Sequence, residues 1–138
     1  MNATTTKLTA TDALALARVF REASTALGDY LYANWAKISP PDRDKLRSLE
    51  VTLLNLATDL VTQAVGIVLD LGQGNLKALS DAANSAKSAL EKINSAKNAI
   101  KITTALIGLA AAIPTGNLNS IYSAFKAVKD AVEGENAT

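Results

Sequence analysis

Residues 40–71 read PPDRDKLRSLEVTLLNLATDLVTQAVGIVLDL. Leu46, Leu49, Leu53, Leu56, Leu60, Ala64, Ile67 and Leu71 recur at steps of three and four. That spacing puts them on one stripe of an α-helix and suits no strand. The paired prolines Pro40 and Pro41 open the helix without loss of a hydrogen bond, because the first amide of a helix has no intrahelical acceptor. Asp42 and Asp44 complement its positive end, and Gly72 is a natural residue to close it. The spacing therefore predicts a helix over 40–71.

The same reading extends in both directions. Upstream, Leu16, Phe20, Ala23, Leu27, Leu31 and Trp35 mark a helix over 12–37, with Thr11 expected as its N-cap. Downstream, the spacing from Leu79 through Leu90, Ile93, Lys97 and Ile100 to Ile107 alternates four and three, the seam of coiled-coil-like packing, and predicts one helix over 75–113. Asn94, Ser95, Asn98, Thr103, Thr104 and Gly108 are weak helix formers that would permit a bend there. Leu118, Ile121, Tyr122, Phe125, Val128 and Val132 mark a last helix over 118–133, capped by Asn117 or Thr115 and ended by Gly134. Short connections join the segments, so neighbours are expected to run antiparallel. The expectation is an all-α, up-down-up-down four-helix bundle in one domain, with a long hairpin of the second and third helices and flexible tails at 1–10 and 135–138.

Composition supports this fold class and narrows the chemistry. Of the 138 residues, 49% are hydrophobic but only 4% aromatic, so the core must be aliphatic. Cysteine and histidine are both absent. Without them there is no thiol nucleophile, no disulfide, no imidazole base and no transition-metal ligand of the usual kinds. No glycine loop has the spacing that cradles phosphate, since Gly72-Gln73-Gly74 follows a helix and precedes no Lys-Ser or Lys-Thr. The expectation is a non-enzyme with no catalytic residue, no cofactor and no metal. A net charge of +1, with Asp42 and Asp44 interleaved among Arg43, Lys45 and Arg47, gives no phosphate track, so no nucleic-acid partner is expected. Tyr30, Tyr32 and Trp35 read as core and rim packing.

Helix lengths suggest where a partner would meet the molecule. At 1.5 Å per residue the second and third helices reach about 48 and about 58 Å, and the last only about 24 Å. The hairpin tip therefore projects beyond the last helix, and its apolar side chains Val65, Val68, Leu69, Leu71, Leu76 and Leu79 are the expected interaction surface, for a protein partner or a second copy. A membrane is the alternative partner, although no Lys or Arg flanks the tip between Val65 and Leu76. The same hairpin register places Glu50 opposite Lys97 as a structural ion pair, Asp59 opposite Lys87, and Asp70 opposite Lys77. The polar, threonine-rich start predicts no cleaved signal peptide. The apolar run Ile102–Ile113 spans about 18 Å as a helix, short of the about 30 Å of a bilayer core. A cytoplasmic location, or export without a signal peptide, is expected.

Overall fold

The computed structural model describes residues 6–63, 68–69 and 72–137. The chain is all-α: five helices pack against one another. They are α1 (Ala10–Ala33), α2 (Pro40–Gln63), α3 (Gly72–Glu91), α4 (Ala96–Ala112) and α5 (Leu118–Ala137). Two-residue extended segments, β1 (Thr6–Lys7) and β2 (Val68–Leu69), pair antiparallel, with Thr6 opposite Leu69 and Lys7 opposite Val68.

The start of α1 is fixed by Thr9 rather than Thr11. Thr9 Oγ1 accepts from the Asp12 amide at 3.1 Å, and the Asp12 carboxylate accepts from the Thr9 amide at 3.4 Å. Asp12 lies three residues after Thr9, which is the spacing such a reciprocal cap requires. The helix ends at Asn34, whose backbone and side-chain N–H groups both donate to the Tyr30 carbonyl. A 3₁₀ turn, Trp35–Lys37, then leads to α2.

The expected third helix is two helices. The Lys92 and Ile93 amides donate to Ala89 and Leu90, three residues back, which tightens and ends α3. Ser95 is extended, and its hydroxyl accepts from the Asn98 amide at 3.4 Å, so it caps α4. A serine that can cap competes with one that continues a helix, and here the cap wins. α5 begins as Asn117 Oδ1 accepts from the Ser120 amide at 3.1 Å. Gly116, with φ of 67°, makes the left-handed turn that brings Asn117 there. α5 continues through Gly134 to Ala137.

Packing departs from the expected hairpin. α1 lies against α2 and α3, α2 against α1 and α4, and α5 against α4 and α3. α4 touches all four other helices and is the centre of the fold. Among the described residues α2 and α3 share no extended packing; the second half of the predicted third helix, α4, is what lies on α2. The break at 92–95 allows this, because it frees α3 to leave α2 and cover α1.

The core is aliphatic, and among the described residues Phe20 is its only fully buried aromatic side chain. Leu27, Leu31, Leu46, Leu53, Leu60, Leu90, Ile102, Leu106 and Leu109 are wholly buried. So is Leu8, which lies in the segment expected to be a tail.

Candidate functional site: the outer face of α1 and its turn into α2

The expected tip divides on inspection. Val65 and Leu71 lie outside the described residues, as does Asp70. Val68 and Leu69 form β2 rather than helix, so α2, described over Pro40–Gln63, does not reach the expected Leu71. Leu76 lies in the first turns of α3, and its side chain is outside the described residues. Leu79 is 3% exposed and belongs to the core.

Two of the expected ion pairs are absent among the described residues, and the third, Asp70 with Lys77, includes a residue outside them. Lys97 is exposed on α4, and among the described residues no ion pair joins it to Glu50. Lys87 meets Glu22 of α1 at 3.3 Å instead of Asp59, because α3 packs on α1. Lys77 meets Asp81, one turn along the same helix, at 3.0 Å. Both are pairs with exposed partners and add little to stability.

Glu50 has a different role from the one its position suggests. It is half-buried and lies over Gly28 of α1, so close that a Cβ at Gly28 would overlap its Oε2. Beside it, Ser24 Oγ donates to the Glu50 carbonyl at 2.9 Å, tying α1 to α2. Burial raises the Glu50 carboxyl above its ordinary range; Arg47 opposes this and Asp29 adds to it. The folded chain thus holds this proton more tightly than the unfolded one. Its contribution to stability is present at acid pH and is lost as pH rises from the ordinary carboxylate range through the raised value. Glu50→Gln should therefore raise the melting temperature at neutral pH and flatten the decline in that window, as followed by thermal melts across pH. An unchanged slope would refute the assignment.

At the turn from α1 into α2 the aromatics assemble. The Tyr32 and Trp35 rings stack with centroids 6.3 Å apart and planes 15° apart. The Arg43 guanidinium sits 4.8 Å from the Trp35 ring centroid, and Arg43 Nε donates to the Trp35 carbonyl at 2.8 Å. The second contact fixes the first, since it anchors the guanidinium to the backbone of the residue it covers. Tyr32 is 67% exposed and Trp35 36%. Packing at the rim was legible from the sequence; the arginine that completes the stack was not, because Arg43 and Trp35 are joined only by the path of the turn.

The large apolar side chains left exposed are unevenly placed. Leu14, Tyr32, Trp35, Val51 and Leu54 belong to α1, α2 and their connection; among the described residues only Tyr122 lies elsewhere. Every arginine of the chain (Arg18, Arg21, Arg43, Arg47) and its one tryptophan fall in the same part, whereas α3, α4 and α5 carry lysine alone as their cation. Arginine and aromatic residues are enriched in contact surfaces and lysine is depleted. That segregation was a signal available in the sequence.

A groove of about 480 Å³ runs between α1 and the end of α3. Glu22, Asp29 and Glu91 bring carboxylates to it, Lys87 one cation, and Ala26 and Leu90 an apolar floor. Burial raises the Tyr30 hydroxyl in its wall. A second groove of about 470 Å³, with Asn84, Ser85 and Ser88 in its lining, lies between α3 and α5. Among the described residues no three His, Cys, Asp or Glu side chains gather as metal ligands do. One segment, Ala96–Thr115, is long and apolar enough by length and composition to cross a membrane, and 44% of it is buried within the fold. The apolar stretch thus begins earlier than Ile102, and it is the central helix. No protein-family model matches the chain, and neither does any curated protein or solved structure.

Proposed function

We propose that this chain is a non-enzymatic helical module that acts through protein contact, and that its first partner is a second copy of itself. The observation that carries the reading is the concentration of exposed apolar, aromatic and arginine side chains on α1, α2 and the turn between them. Tryptophan, tyrosine and arginine dominate binding energy at contact surfaces, and a stack already held by its own hydrogen bond loses little entropy on docking. Sedimentation equilibrium from about 1 to about 500 µM brackets the affinity of a small interface. The average mass should rise towards that of a dimer across this range. Trp35→Ala should reduce the association at least about tenfold, a loss of about 1.4 kcal/mol. A constant monomer mass throughout would overturn the proposal.

We read the helix order as an up-and-down antiparallel bundle whose third member is broken at 92–95. The short turns at 34–39 and 113–117 support this, since they leave a chain little room to do other than reverse.

A second reading, membrane contact, draws support from Ala96–Thr115. It requires α4 to leave a core that Ile102, Leu106 and Leu109 help to form. Co-flotation with anionic liposomes, with α4 becoming accessible to lipid quenchers, would favour it over the first.

A further inference from the structure

The outward stripe of α1 reads Leu14, Arg18, Arg21, Thr25, Asp29, Tyr32, at steps of four and three, and all six residues are exposed. Arg18 and Arg21 lie on one side of Thr25, Asp29 and Tyr32 on the other. Among the described residues neither Arg21 nor Asp29 has an ion-pair partner. The charges of this stripe therefore do not satisfy one another within the molecule. Their order would satisfy them between two molecules.

We infer that the outer face of α1 is the self-association surface, with two copies of α1 crossing antiparallel about a two-fold axis at Thr25. The inference rests on the self-association proposed above and specifies its surface. In an antiparallel pair centred on residue 25, a residue four before the centre meets a residue four after it. Arg21 of each copy then meets Asp29 of the other, and Arg18 meets the exposed Tyr32 ring. A two-fold makes every such contact twice, so each favourable rung counts double. Leu14 arrives beside the other copy's Tyr32–Trp35 corner, and its apolar surface covers theirs.

The groove beside the stripe supports the same arrangement. Glu22, Thr25 and Asp29 all border it, and with Glu91 it holds three carboxylates against the one cation of Lys87. The two-fold delivers the other copy's Arg21 to the Asp29 edge of that groove. The apolar floor of Ala26 and Leu90 suits the methylene stem that an arginine carries beneath its charge. The face is modest: Leu14 to Tyr32 spans about 27 Å of helix. A face of this length suits a small, transient interface, and the affinity range to search is about micromolar.

The test is a charge-swap series on the full chain, read by sedimentation equilibrium. Arg21→Glu should weaken the dimer at least about tenfold by setting Glu against Asp29, and Asp29→Arg should do the same by setting Arg against Arg21. The double variant Arg21→Glu/Asp29→Arg rebuilds both rungs with reversed sign and should return the dissociation constant to within about threefold of the parent. Lys129→Glu, at an exposed position of α5, should change nothing. All three positions are exposed, and circular dichroism would show whether each variant is folded. Single swaps without effect, or a double variant no better than the singles, would overturn the α1 assignment while self-association itself stood. A parent chain that stays monomeric would overturn both.

Discussion

Leu8→Ala is expected to lower the unfolding free energy by about 2–4 kcal/mol, the range for deleting a wholly buried leucine side chain. Leu14→Ala, six residues on and 48% exposed, should change it by less than about 0.5 kcal/mol. The contrast is large because the two leucines differ in surroundings rather than in chemistry. Leu8 sits between the pairing residues Thr6 and Lys7 and the capping residue Thr9, so both neighbours hold it in place. Urea titration of the two variants beside the parent measures it. Equal small losses would show that the first residues are not part of the core.

Thr103→Val should have an effect of opposite sign. Thr103 is wholly buried in α4, and its hydroxyl has no hydrogen-bond partner among the described residues. An unsatisfied buried hydroxyl costs about 1–3 kcal/mol, and valine keeps its shape without the polar atom. A gain of about 1–2 kcal/mol is expected, or a rise of about 2–6 °C in melting temperature for a chain of this size. A loss of stability would mean that the hydroxyl is satisfied in solution, and Thr103→Ser, which keeps the hydroxyl, would then retain more stability than Thr103→Ala.

The apolar stripes were readable wherever helix neighbours cover one face. Leu46, Leu49, Leu53 and Leu60 are buried as their spacing requires, and so are Leu16, Phe20, Ala23, Leu27 and Leu31. Trp35, the next member of that series, is on the surface because α1 has already ended. The two expected long helices failed for different reasons. In the second, Val68 and Leu69 pair as extended chain with Lys7 and Thr6 despite an unbroken apolar stripe. At 92–95 the stripe also continues, through Leu90, Ile93 and Lys97, so periodicity alone could not report that Ser95 begins a new helix.

Ion pairs and the candidate surface were hidden by a common cause. Both depend on which helices are neighbours. Once α3 lies on α1 instead of α2, Lys87 finds Glu22, and Glu50 faces a glycine. Likewise the stripe from Leu14 to Tyr32 could not be recognised as outward until α2 and α3 had taken the other sides of α1.

The bridge between Thr6–Lys7 and Val68–Leu69 has a consequence for the order of folding. It closes a ring of about sixty residues that contains all of α1 and α2. Neighbouring helices joined by short turns meet early, since little chain entropy is lost in bringing them together, whereas a ring of this size closes late and for only two residue pairs. The clasp should be the last element to form and the first to open. In native-state hydrogen exchange, the amides it protects should be released in small, local openings, well before those of α4 at the centre.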